Sequence, residues 1–261
     1  MPTVRPPAIT LLVVTLLMAA SIFLSRRPYY NWDMFPYIAV VMNDDDVPFD
    51  SLHRSVYQTA LSLMPPRDFD AISSRQPVLM RDARAFEEIL PYYRVKPAYT
   101  WVARSLFHLG VNPLAATWLP SIVSYFALCL TLFFWSKSRA PALPAALFTI
   151  VIAASPPMTD LARFSSPDMM GAFVTMTGVV FVMSSRPHIG MTFLTLTMTI
   201  RPDAILLVIP LTMALAWTGR LSVKESIGWS LAGAFIVAML FASNNLIVQY
   251  LFLEASLSDR M

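Results

Sequence analysis

Long apolar runs separated by polar turns dominate this chain. Residues 8–24 (AITLLVVTLLMAASIFL) are uninterrupted, with Arg5 before them and Arg26 and Arg27 after. The run exceeds the roughly 7–15 apolar residues of a signal peptide, and no small-x-small cleavage site follows, so it predicts a retained first transmembrane helix. Residues 114–135 make a second full span, closed by Ser136-Lys137-Ser138-Arg139. Residues 140–154 and a helix over 168–184 follow, separated by a loop from Ser155 to Pro167. Residues 189–217 are apolar except at Arg201-Pro202-Asp203. A proline and two charges inside such a run predict two short helices meeting at a tip. A last span is expected over 227–251.

Between the first two spans lies a polar excursion, residues 25–96, with nine Lys and Arg and ten acidic residues. Within it, residues 34–42 are apolar but too few to cross a bilayer, which predicts an interfacial or re-entrant helix. Residues 81–90 predict a surface helix stopped by Pro91. Residues 97–109 form an amphipathic helix with Arg104 and His108 on one face, as headgroup contacts or cavity lining.

Composition agrees with the pattern. Only 13% of the 261 residues are charged, against about 25% in soluble domains, and the mean hydropathy is +0.59. The expected class is an all-α integral membrane protein with about seven transmembrane helices and a long first external loop, a single transmembrane domain over 1–261. Its scattered basic residues give no support to nucleic-acid binding. The single Cys129 excludes an intramolecular disulfide, the widely spaced His53, His108 and His188 make no zinc pattern, and His53 and His188 read as ordinary loop histidines. Placing Arg5, Lys137, Arg139, Arg186, Arg220 and Lys224 on one side satisfies the positive-inside rule through seven spans. The N-terminus is then cytoplasmic and the 25–96 loop external.

That topology puts three charged sets on the external face: Asp33 among aromatics, the loop carrying Asp160, Arg163 and Asp168, and the tip Arg201-Pro202-Asp203. Each has a plain structural reading. Ser166-Pro167-Asp168 and Pro202-Asp203 are helix starts, with Ser166 as N-cap. Asp33 is an N-cap for the helix from Met34, with Trp32 and Tyr37 as interfacial anchors. The Asp44-Asp45-Asp46 run is a solvated loop. A guanidinium between apolar half-spans costs about 2.5–3.5 kcal/mol, so Arg201 should face a polar cavity, bound to an anion or paired with an acid such as Asp203.

Asn31-Trp32-Asp33 to Tyr37 opens the first external loop. Lys96-Pro97-Ala98-Tyr99 leads through an amphipathic helix and Gly110 into the second span. Arg163 and Pro167-Asp168 mark the second external loop, and Thr199-Ile200-Arg201-Pro202 makes a basic-residue-proline turn. Together these resemble the GT-C superfamily of membrane glycosyltransferases, which use polyprenyl-phosphate-linked sugars, such as protein mannosyltransferases and lipid A aminoarabinose transferases. The resemblance implies a GT-C-like transmembrane module, with Asp33 as general base on an acceptor hydroxyl and Arg201 with Arg163 on the phosphate leaving group. It further implies substrate-binding roles for Tyr37, Asp168 and Asp203, and Asp168 or Asp160 orienting the acceptor or holding a divalent ion. The lipid tail would lie in a groove between spans, in a bacterial inner membrane. Family enzymes continue with more helices or a soluble domain, so this chain, ending at Met261, is expected to be a minimal enzyme, a piece completed by a partner subunit, or a non-catalytic relative. The competing classes are a transporter or lipid-binding protein, in which Arg201 holds an anionic substrate, and an assembly subunit whose acids only cap helices.

Overall fold

A computed structural model describes residues 6–43 and 48–244. The acidic run at 44–46 and the part of the last apolar run beyond Asn244 lie outside the described residues. The described chain is helical apart from one isolated parallel bridge between Tyr29 and Phe164. Helix α1 (Pro6–Ser25) leads into six helices of the polar excursion: α2 (Met34–Met42), α3 (Phe49–Leu63), α4 (Pro66–Ser73), α5 (Pro77–Arg81), α6 (Ala83–Ile89) and α7 (Pro91–Arg94). Then come α8 (Pro97–His108), α9 (Pro113–Lys137), α10 (Ala142–Ala153), α11 (Pro156–Arg163) and α12 (Asp168–Met183). The chain continues through α13 (Pro187–Ile200), a 3₁₀ turn (Pro202–Ala204), α14 (Ile205–Trp217) and α15 (Val223–Ser243).

Among the described residues, three helices are long and apolar enough to cross a membrane: Pro7–Ser25, Pro113–Lys137 and Val223–Ser243. A fourth crossing arises if α10 and α11, bent by 59° at their junction, act as one span. The remaining apolar helices α12, α13 and α14 have 16, 14 and 13 residues, fewer than the roughly 20 that span a hydrocarbon core. Outward-facing Leu206, Met213, Trp217, Leu231 and Phe235 leave α14 and α15 with an exposed apolar surface, the kind of surface that lipid covers. Helix α9 is the hub: α1, α2, α8, α10, α11 and α12 all pack on it.

The polar excursion is not an extended loop. Helices α2 to α6 enclose a core of their own, with Phe35, Ile38, Val56, Phe69, Phe86 and Leu90 buried together. Phe35 stacks on Tyr57 with centroids 4.9 Å apart. His53, far from being a loop residue, is buried on α3, with its Nε2 2.9 Å from the Leu79 carbonyl of α5. The expected helix over 81–90 is interrupted at Asp82, whose carboxylate caps α6 by accepting from Arg84 N and Ala85 N.

Helix α2 is too short to hold itself, because its last carbonyls have no partner within the helix. Arg104 of α8 supplies one. Its Nη2 donates to Val40 O and Asn43 O, both at 2.9 Å, so Arg104 clamps the end of α2 rather than meeting headgroups. Arg104→Met is expected to lower stability by about 1–3 kcal/mol, the cost of leaving such carbonyls unpaired. Thermal unfolding of the detergent-solubilised protein would show it, and an unchanged midpoint would mean the clamp is dispensable.

A candidate site around Lys96

Asp33 ends the turn before α2 with helical dihedrals and makes no capping hydrogen bond. Its carboxylate faces other partners. Tyr93 donates its hydroxyl to Oδ1 at 2.8 Å and Asn31 Nδ2 donates to Oδ2 at 3.2 Å. Asp33 thus holds the expected N-cap position of α2, but its carboxylate, instead of capping the helix, is oriented from two sides. The other amide atom, Asn31 Oδ1, is buried and without a partner among the described residues.

One helical turn on, the Tyr37 hydroxyl accepts from Lys96 Nζ at 3.1 Å. The ammonium also lies over two rings, 5.6 Å from the centroid of Tyr37 and 5.3 Å from that of Tyr93, a placement that the ring quadrupoles favour. Tyr37 meets Tyr93 and Tyr99 edge-on at 4.9 and 4.8 Å, and Tyr99 donates to the Thr117 carbonyl of α9. Burial pushes the Tyr37 and Tyr93 hydroxyls far above the ordinary phenol range, with Asp33 adding to the effect on both. Both remain protonated, so Tyr93 is a fixed donor to Asp33. Burial also lowers the Lys96 ammonium from its ordinary value, opposed by the charges of Asp33 and Asp168.

The second half of the site comes from α12, α13 and the turn after α13. Arg201 lies just beyond α13 and Asp168 opens α12. Arg201 Nη1 donates to Asp168 Oδ1 at 2.6 Å, Nη2 to Asp203 Oδ2 at 2.6 Å, and Nε to Asp203 Oδ1 at 3.1 Å. The ion pair with Asp203 expected as the plain reading of Arg201 is present, joined by Asp168. Three of the five guanidinium hydrogens are committed, which leaves two. Gly171 makes room for this side chain: a Cβ there would sit 3.0 Å from Arg201 Cδ. Ser166 does not cap α12. The N-cap position falls on Pro167, and Ser166 Oγ is buried without a partner among the described residues. Instead the Ser166 carbonyl accepts from Ser121, and Thr117 and Ser165 share a hydrogen bond at 2.8 Å, pinning the start of α12 to α9.

The two halves meet. Tyr37 and Tyr99 share a buried cluster with Val174 of α12 and Ile200 of α13, and Lys96 feels the charges of Asp33, Asp168, Arg201 and Asp203 together. Arg201 is thus paired with Asp168 and Asp203, and Lys96 lies within electrostatic reach of all three carboxylates. Beside Arg201 a groove of about 680 Å³ follows α12 from Asp168 to Val179, lined by Leu161, Ala172, Met176 and Val179 along its apolar length. That stretch is about 16 Å at the helical rise. Asp168 and Arg201 form its polar end, and Asp33 is not part of its wall.

Arg163 and Asp160 stand apart from this cluster. Arg163 Nε donates to the Arg27 carbonyl at 2.6 Å, its guanidinium lies 5.9 Å from the Tyr29 ring, and Asp160 is 3.8 Å away within the same helix. Arg163 ties α11 to the chain leaving α1. No group of three His, Cys, Asp or Glu side chains that could hold a metal ion occurs among the described residues. Asp168 and Asp203 are both engaged by Arg201, so the donor set does not fit the divalent ion that the resemblance allows.

Lys96 was visible in the sequence only as the start of a Lys-Pro-Ala-Tyr segment. A signal was present in Tyr92-Tyr93-Arg94-Val95-Lys96-Pro97-Ala98-Tyr99, where a basic residue sits among aromatics as Asp33 does. A search against protein-family models finds no match, and no curated protein or solved structure matches the chain significantly.

Proposed function

We propose that the chain is a membrane glycosyltransferase that moves a sugar from a polyprenyl-phosphate carrier to an acceptor hydroxyl at the non-cytoplasmic face. The observation that carries this reading is a cluster of acids and bases, Asp33, Lys96, Asp168 and Arg201 half-buried and Asp203 exposed, beside a groove that is polar at one end and mostly apolar along its length. In this reading Asp33 takes the acceptor proton as the acceptor oxygen bonds to the anomeric carbon. The bond from that carbon to the phosphate oxygen breaks, and the electron pair leaves with polyprenyl phosphate. Arg201 offers its two uncommitted hydrogens, and Lys96 its ammonium, to the departing phosphate. The prenyl tail lies along α12. Helices α12, α13 and α14 complete seven crossings by packing against α9 and α15 despite their length, with the N-terminus cytoplasmic in a bacterial inner membrane.

Transfer from a polyprenyl-phosphate sugar in proteoliposomes tests the proposal. Arg201→Gln is expected to lower kcat about 10²–10³-fold, as loss of a preorganised charge donor does. Lys96→Gln is expected to act mainly on donor KM, raising it about tenfold. Absence of donor-dependent transfer in the wild-type protein would reject the proposal.

One observation favours a second reading. Asp168 and Asp203 hold Arg201 from two sides, so the trio also serves as a staple across the broken span of a non-catalytic assembly subunit. The two readings part at Arg201→Gln: a staple loses stability with no activity to lose, whereas the transferase loses transfer.

A further inference from the structure

A second pocket lies away from this cluster, in the helical unit formed by the polar excursion. It has a volume of about 410 Å³ and is walled by one face of α3, with Asp50, His53, Arg54, Tyr57 and Gln58, and by Arg81 at the end of α5. The α3 residues recur at the helical spacing that places them on one side. The size falls within the range of small-molecule sites.

Two features of its wall point to an oxyanion. Arg54 and Arg81 are exposed, line the pocket from α3 and from the end of α5, and form no ion pair among the described residues. Two guanidinium groups at one pocket suit a phosphate, whose oxygens match the guanidinium fork. Tyr57 is only 8% exposed, yet its hydroxyl is buried and has no hydrogen-bond partner among the described residues. A buried hydroxyl left unpaired is costly, and a ligand oxygen would relieve that cost. His53 is held by the Leu79 carbonyl. Because a carbonyl only accepts, Nε2 donates to Leu79 O, and the ring takes no part in holding the anion.

We infer that this pocket between α3 and α5 binds a phosphate group, with Arg54 and Arg81 on its oxygens and Tyr57 hydrogen-bonded to the ligand. The inference is independent of the transferase reading, since none of these residues belongs to the Lys96 cluster. Asp50 on the same wall disfavours a second negative charge beside it and restricts the ligand to one phosphate.

Calorimetric titration of the full chain in a non-ionic detergent tests this with two probes, inorganic phosphate and dihexanoyl phosphatidylglycerol. Saturable binding is expected, weakened about tenfold by Arg54→Gln or Arg81→Gln, as the loss of a charge-assisted pair implies, and less by Tyr57→Phe. Saturation by inorganic phosphate identifies a soluble phosphate as the ligand class. Saturation by the lipid alone identifies a headgroup. Both support the site. Failure of both probes to saturate, or equal binding by wild type and both arginine variants with unchanged helical circular dichroism, overturns it.

Discussion

Asp33→Asn is expected to lower sugar transfer about 10²–10⁴-fold, the range lost when a positioned general base is removed, while the fold persists. The side chain keeps its size, and an amide oxygen still accepts from Tyr93, so the hydrogen bond now 2.8 Å long survives. What disappears is the ability to take a proton. At the other position the new amide nitrogen is a donor, which the Asn31 amide meets by turning its unpartnered Oδ1 toward it in place of Nδ2. Tyr93→Phe provides the contrast. It leaves the carboxylate in place but removes the donor that orients it, so transfer should fall by about tenfold rather than by several orders of magnitude. Rates for both variants, with thermal unfolding alongside, separate loss of the base from loss of its orientation. If Asp33→Asn transfers at the wild-type rate, Asp33 is not the base, and the staple reading of the cluster gains.

The legible part of this fold was the part written in local pattern. The interruption at Arg201-Pro202-Asp203 announced a broken helix, and the chain does turn there through a single 3₁₀ turn. The apolar stretch over 34–42 announced α2, with the same bounds. What the sequence concealed lies in contacts between residues far apart along the chain. Tyr93 meets Asp33 across 60 positions, and Arg104 reaches Asn43 across 61. No period or spacing encodes such pairs. The same holds for the core of the polar excursion, whose amphipathic helices α3 and α4 are individually indistinguishable from helices lying on a membrane surface. Their buried faces, through Val56 and Phe69, turn toward Phe35 of α2 instead. The helix starts misled for another reason. Ser166-Pro167-Asp168 has the composition of a capped N-terminus, but tertiary bonds from α9 claim that segment first, and Asp168 is drawn to Arg201.

Gly190→Ala is expected to destabilise the protein by about 1–3 kcal/mol or more, the cost of overpacking a filled contact. Helices α12 and α13 approach so closely that a Cβ on Gly190 would lie 2.5 Å from Val182 Cγ2, 2.6 Å from the Gly178 carbonyl oxygen and 2.8 Å from Val182 N. Two of those three neighbours are backbone atoms and cannot swing aside, so the helices must separate. Gly178 faces the same seam, where a Cβ would come within 2.9 Å of the Gly190 carbonyl oxygen. Small residues that admit close backbone approach are a means by which apolar helices associate without a hydrophobic driving force. The effect should reach function, because α12 carries Asp168 at its start and α13 leads directly into Arg201. Gly171→Ala, at the other end of the seam, crowds the flexible Arg201 side chain at 3.0 Å and touches Ile200 only at an ordinary 3.9 Å. It should shift the guanidinium and reduce transfer with a smaller loss of stability. Melting temperatures and transfer rates measured on both variants decide the matter. Equal melting of Gly190→Ala and wild type would mean that α12 and α13 are not packed this closely in the membrane.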